Sequence, residues 1–143
     1  MKIAVIHGPN LNLLGSREPE VYGSTTLDEV NAGLHELAHE LGVSVSVFQS
    51  NHEGVLIDHI HGLVGDCDGI VINPGGLTHT SVSLRDALVG VGIGFVETHL
   101  SNVYARESFR HQSYLSGVAL GVVSGFGVNS YRLALRALVD QLS

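Results

Sequence analysis

The 143-residue sequence predicts an α/β fold, a doubly wound five-stranded parallel sheet with helices on both faces. Three observations carry that expectation. Apolar runs of strand length recur five times, with helix-length segments interposed between them. The clearest of these runs, Gly69-Ile70-Val71-Ile72, is apolar throughout, as parallel strands covered on both faces tend to be. No linker, repeat or low-complexity stretch divides the chain, so 1–143 reads as a single domain.

Residues 2–6 read as a buried first strand. Residues 26–41 read as a helix: Thr26 and Glu29 fit a capping box, and Leu27, Val30, Leu34, Leu37, Ala38 and Leu41 share one face. Gly42 stands where a helix C-cap belongs. Residues 43–49 form a second strand, with Val43, Val45 and Val47 alternating. A helix follows over about 55–64, and the third strand is 69–72. Residues 81–91 read as helical, 94–97 as the fourth strand and 118–123 as the fifth. Ser130 is expected to cap a last helix whose Tyr131, Ala134, Leu135, Leu138 and Leu142 share a face. With right-handed connections, five such units give a flavodoxin-like strand order.

Composition narrows the class of function. The net charge is -7 and there are only seven Lys and Arg, which argues against nucleic acid and against an acidic membrane surface. Six of the seven cations are Arg; Lys2 is the only lysine. A mean hydropathy of +0.27 suggests that some surface is hidden in an oligomer. One cysteine, Cys67, permits neither an intrachain disulfide nor a Cys-based zinc cage, and reads as a small, partly buried residue before a strand. No apolar run reaches the ~18–20 residues of a membrane span, and Met1-Lys2-Ile3 starts a strand rather than a signal peptide, so a cytoplasmic location is expected.

Sheets of this kind place their sites at the carboxyl ends of the strands. Those ends carry His7-Gly8-Pro9-Asn10, Gln49-Ser50-Asn51-His52, Asn73-Pro74-Gly75-Gly76, Thr98-His99-Leu100-Ser101-Asn102 and Ser124-Gly125. Asn and His recur there, and one shared pocket is expected. The first connection, 8–25, is far longer than the ~2–6 residues usual between a strand and a helix. It holds Arg17, Glu18 and Tyr22 among Gly15, Pro19 and Gly23, and reads as a lid. A phenol with pKa ~10 is a poor base at neutral pH. A guanidinium at ~4 Å contributes roughly 4 kcal/mol at an effective dielectric of ~20, so that one or two close Arg side chains bring phenolate into range. Arg17 is the candidate for that task.

His99 follows Glu97 by two positions, so both side chains face the same side of their strand. A carboxylate beside an imidazole fixes its tautomer and favours the protonated form, which suits a general acid. Thr78-His79-Thr80-Ser81 leads into a helix and offers an N-cap at Thr80 or Ser81. That cap leaves His79 without a structural reason. Arg106 and Arg110 flank Glu107 and read as a solvated helical face with an ion pair; Arg110 has the option of reaching a ligand instead.

Some patterns mislead. His35-Glu36-Leu37-Ala38-His39 has the spacing of a zinc-protease helix, but both histidines lie well over 90° from the apolar face and point to solvent. Gly125-Phe126-Gly127 opens the last helix, but a dinucleotide site needs a further strand and an acidic residue downstream. No Ser elbow, P-loop or flavin-specific pattern is present.

The run Gly8-Pro9-Asn10-Leu11-Asn12-Leu13-Leu14-Gly15, with Arg17-Glu18-Pro19 and Tyr22-Gly23, resembles type II 3-dehydroquinate dehydratase. The same holds for Ser50-Asn51-His52-Glu53-Gly54, for 73–81, for Arg85-Asp86-Ala87 and for 97–103. Arg106-Glu107, Phe109-Arg110 and 117–127 extend the resemblance to essentially the whole chain. It departs from the usual pattern mildly, at Leu77, Gly94-Phe95, Thr98 and Leu100.

The resemblance implies a hydro-lyase of the shikimate pathway, without cofactor or metal, that removes water from 3-dehydroquinate by anti elimination through an enolate. It implies that Tyr22 is the base, that Arg17 lowers its pKa, and that Asn10 holds a water against the enolate. His99 protonates the departing hydroxyl and Glu97 orients it. Asn73, Leu100 and Ser101 look like a carboxylate cradle, and His79 and Arg110 like ring-hydroxyl contacts. Asp86 matches a residue that reaches a neighbouring subunit's site, in a homododecamer built as a tetramer of trimers. The unrelated dehydroquinase class works through a lysine Schiff base, and Lys2 begins the first strand at the opposite end of the sheet. A non-catalytic flavodoxin-like ligand-binding module is the alternative; it would keep the pocket without needing the Tyr–Arg pair.

Overall fold

The computed structural model describes residues 1–16, 20 and 23–143. Five strands form one sheet: β1 Lys2–His7, β2 Ser44–Gln49, β3 Gly69–Asn73, β4 Phe95–His99 and β5 Gly121–Ser124. All neighbouring strands pair in parallel, in the order β2-β1-β3-β4-β5. This is the doubly wound, flavodoxin-like order expected from the sequence, with the reversal beside β1. The α-helices are α1 Leu27–Leu41, α2 Glu53–His61, α3 Val82–Val91 and α4 Asn129–Leu142.

Alternation along the strands sorts the core into two layers. Ile3, Val5, Val71 and Val96 pack with Val30, Leu34 and Leu37 of α1 and with Tyr131, Leu135 and Leu138 of α4. Ala4, Ile6, Ile70, Ile72 and Phe95 point the other way, onto Leu56 and Ile60 of α2 and Leu84 and Leu88 of α3. β3 is buried at every residue, because it lies at the centre of the sheet with both faces covered.

The helix ends follow local chemistry. The Thr26 side chain accepts the Glu29 N–H at 3.2 Å, and its hydroxyl reaches the Glu29 carboxylate in turn. Gly42 ends α1 at φ 72°, a left-handed conformation that suits glycine. Ser81 caps α3 by accepting the Leu84 N–H at 2.9 Å. Ser130 is not a cap: it lies inside α4, fully buried, and its hydroxyl accepts the Phe126 N–H at 3.0 Å. The preceding turn at Gly127 places the N-cap at Val128, so α4 starts at Asn129, two residues earlier than a Ser130 cap requires.

Other boundaries shift for related reasons. β4 runs on to His99, so the histidine is the last residue of the strand rather than beyond it. The apolar run before β5 begins as a 3-10 turn at Ser116–Val118, which delays the strand to Gly121. Arg106 and Arg110 sit on two short 3-10 turns, Val103–Ala105 and Ser108–Arg110, with their caps, and not on an α-helix. His35 and His39 are exposed on α1, as the helical wheel requires. Lys2 is exposed at the amino end of β1, with its ammonium 3.7 Å from Asp66. Cys67 is partly buried, and burial pushes its thiol up.

Candidate active site

The carboxyl ends of β1, β3 and β4 open onto one cavity of about 190 Å³. Among the described residues its lining includes Asn10, Asn73, His79, His99, Leu100, Ser101, Arg106 and Arg110. Seven of the predicted site residues therefore meet in one place: Asn10, Asn73, His79, His99, Leu100, Ser101 and Arg110. Tyr22, the predicted base, and Arg17, its predicted activator, lie outside the described residues. Asp86 is exposed on α3 and does not line this cavity.

Asn10 owes its place to an unusual backbone. It is the only non-glycine among the described residues with positive φ, at 71°, a conformation that asparagine tolerates better than most residues. Its N–H donates to Asn51 Oδ1 at 2.9 Å, and Gln49 donates to the same oxygen at 3.1 Å. The β1 loop also leans on the β3 loop. The Gly8 N–H donates to the Asn73 carbonyl at 2.7 Å, and a Cβ on Gly8 would lie 2.5 Å from the Pro74 carbonyl oxygen. Only glycine allows that approach.

His99 and Glu97 form a buried pair, Nε2 to Oε2. The rest of the Glu97 carboxylate is enclosed by hydroxyls. Thr78 donates to Oε2 at 2.7 Å, Ser116 donates to Oε1 at 2.7 Å, and Ser113 lies 3.0 Å from both oxygens. Burial pushes the Glu97 carboxyl up, but bonds from His99, Ser116 and Thr78 outweigh it and hold the group below the usual carboxylate range. Glu97 is thus a charged residue behind His99, steadying the ring, whose Nδ1 has no hydrogen-bond partner among the described residues.

The opposite wall is cationic and hydrogen-bonding. His79 stands parallel to His99, with ring centroids 6.4 Å apart. Its Nδ1 lies 2.7 Å from the Gln112 carbonyl and donates to it, which leaves Nε2 as the ring's remaining hydrogen-bonding atom. Arg106 donates to the Ser101 hydroxyl at 3.2 Å and has Glu107 at 3.8 Å. Arg110 Nε bonds both Glu107 oxygens, at 3.0 and 3.2 Å, and holds that exposed carboxyl below its usual range. Both guanidinium groups line the cavity, so Arg106 is more than the solvated ion pair expected from sequence.

Sequence reasoning missed the supports. Thr78, Ser113 and Ser116 surround Glu97 from segments remote in the chain, and no spacing rule connects them. His7 and Tyr131 were also passed over. The signal for them was present: a histidine ending an apolar buried strand needs a partner, and Tyr131 carries the one polar tip on the apolar face of α4.

A parallel sheet wound in this order, with an acid–base pair and an anion-friendly wall at its carboxyl edge, defines an α/β enzyme of the flavodoxin-like class. The sequence matches the family described as dehydroquinase class II over residues 1–139. It is 62% identical over 138 residues to a 3-dehydroquinate dehydratase of Bordetella avium, covering 96% of each chain. It is 61% identical over 140 residues to another from Gloeothece citriformis, covering 98% of this chain and 92% of the relative. A type II dehydroquinase of Butyrivibrio crossotus, known from its crystal structure, superposes with TM-score 0.94 at 44% identity, over 96% of this chain and 97% of that one. The chain belongs to the dehydroquinase class II family.

Proposed function

We propose that this chain is a type II 3-dehydroquinate dehydratase: it removes water from 3-dehydroquinate to give 3-dehydroshikimate, as a hydro-lyase of the shikimate pathway. The observation that carries the reading is the Glu97–His99 pair opening into a cavity walled by Asn10, Asn73, His79 and two arginines. Family membership over nearly the whole chain supports the substrate.

In this reading Tyr22 takes the proton at C2, next to the ketone, and Arg17 favours its phenolate form. The electron pair moves into an enolate, which a water held by Asn10 stabilises. His99 then protonates the C1 hydroxyl as its bond to carbon breaks, while Glu97 supports the charge on the ring. Asn73, with the Leu100 and Ser101 segment, holds the carboxylate, and His79 and Arg110 meet the ring hydroxyls. Each proton is moved by a side chain, and the route calls on no cofactor.

The working unit we propose is a homododecamer, a tetramer of trimers, in the cytoplasm. Exposed apolar residues along the β5 edge support an oligomer: Val122, Phe126 and Leu133 stand around one groove, and Leu120 is half exposed nearby. Asp86 is exposed and does not line its own cavity, and in this reading it reaches a neighbour's.

The enone product absorbs in the near ultraviolet, so an absorbance assay with 3-dehydroquinate tests the activity directly. A rise is expected from the native chain, and Tyr22→Phe and Arg17→Ala should each remove most of it without unfolding the protein. No rise from folded native protein would overturn the reading. Sedimentation of the native chain tests the oligomer.

A further inference from the structure

His7 and Asn73 end adjacent strands in register, and both side chains face the α1/α4 layer. Tyr131 of α4 is fully buried in that layer. Its hydroxyl lies 2.6 Å from His7 Nδ1, and its other hydrogen-bonding neighbour is the Asn73 side chain. On the far side of the imidazole, His7 Nε2 lies 2.8 Å from Asn31 Oδ1. Asn73 Oδ1 accepts the Gly75 N–H at 3.1 Å.

These contacts have only one consistent direction. Asn31 Oδ1 is an acceptor, so the proton of a neutral His7 sits on Nε2, and Nδ1 accepts from the Tyr131 hydroxyl. That hydroxyl has then spent its proton, and its oxygen accepts from Asn73 Nδ2. Gly75 fixes the Asn73 carbonyl oxygen. One hydrogen of the Asn73 amide remains, and Asn73 lines the cavity. Burial pushes His7 down to about 4, so the ring is neutral across the working range.

We propose that His7 and Tyr131 are positioning residues that make Asn73 present an N–H, not an oxygen, to the anionic group of the substrate. The inference rests on the reading of Asn73 as part of the carboxylate cradle. A reversed amide would turn an acceptor toward a carboxylate and strand the Gly75 N–H against an NH₂ group.

A double-mutant cycle tests it. Tyr131→Phe should raise the KM for 3-dehydroquinate about tenfold, the worth of one hydrogen bond to a charged group, with kcat held within about twofold. In an Asn73→Ala background the same substitution should add nothing. An unchanged KM in Tyr131→Phe, or an equal further rise in the Asn73→Ala background, overturns the proposal while leaving the cradle intact. An unchanged KM in Asn73→Ala alone overturns the cradle, and the proposal with it. Should Tyr131→Phe fail to fold, Asn31→Ala frees the other end of the chain and should raise KM several-fold, again only while Asn73 is present. Nitrogen NMR supplies an independent readout: at pH 6 the His7 ring should be neutral with its proton on Nε2. A charged ring, or a proton on Nδ1, is the opposing result.

Discussion

The Ser116 hydroxyl sits 2.7 Å from Glu97 Oε1, the carboxylate oxygen that His99 does not use. Oε2 is held by the imidazole and Thr78, Oε1 by the turn that precedes β5, and Ser113 lies 3.0 Å from both. Hydroxyl donors favour the charged form, so removing one raises the pKa of Glu97. Ser116→Ala should cost about 1.5 kcal/mol of folding stability. It should also move the acid limb of the kcat profile to higher pH. Urea unfolding and a pH–rate series check both effects; an unmoved acid limb would separate Ser116 from the chemistry.

Glu97→Gln keeps the shape but removes the charge behind His99. General acid catalysis contributes roughly 10²–10⁴-fold, so kcat should fall about a hundredfold, with a smaller change in KM. Steady-state kinetics on the folded variant decide it.

His7 gives the protein a pH-dependent stability. Its folded pKa of about 4 lies below the ordinary histidine value of 6.5. Between those values the unfolded chain binds a proton that the folded chain refuses, so stability falls as pH drops. The His7 contribution is fully present above about pH 6.5 and is lost progressively toward pH 4, to a total of roughly 3 kcal/mol. His7→Gln should flatten that part of the curve. Urea midpoints measured from pH 7 to pH 4.5 provide the comparison.

Thr98 carries the one buried side-chain polar atom without a hydrogen-bond partner among the described residues. It faces the α1/α4 layer, opposite to Glu97 and His99. An unsatisfied buried hydroxyl costs about 1–3 kcal/mol, so Thr98→Val should stabilise the fold by about 1 kcal/mol. A higher urea midpoint is the expected result.

Gly8 has no room for a side chain. In Gly8→Ala the new carbon would meet the Pro74 backbone at 2.5 Å, and the β1 and β3 loops must part. Overpacking of this kind costs about 1–3 kcal/mol. Because both loops line the cavity, KM should rise along with the loss of stability, which thermal unfolding and kinetics would report together.

The fold was largely legible in the sequence because its signals are local. The apolar run at β3, the face of α1 from Val30 to Ala38, and the caps at Thr26, Gly42 and Ser81 depend on spacings of a few residues. Boundaries slipped where tertiary contacts decide them. β4 continues through His99 because Glu97 and His99 are themselves buried and bonded in the strand. Ser130 went inside α4 because the Phe126 N–H needed an acceptor there. The site was legible at the strand ends, where His99, Asn73 and Asn10 stand in recognisable company. Thr78, Ser113 and Ser116 were not, since a hydroxyl gains meaning only from the distant carboxylate it faces. Arg106 was undervalued for the same reason: its contact with Ser101 joins two turns that the sequence does not show to be adjacent.

The two halves of the cavity draw their support from opposite sides of the sheet. Glu97, with Thr78, Ser113 and Ser116 around it, lies on the α2/α3 side; His7, Tyr131 and Asn31 lie on the α1/α4 side. The two groups share no side chain, and the sheet stands between them as a partition. In the proposed mechanism, the support of the proton donor and the support of Asn73 are therefore separable inheritances: drift in the packing under one can be absorbed without retuning the other.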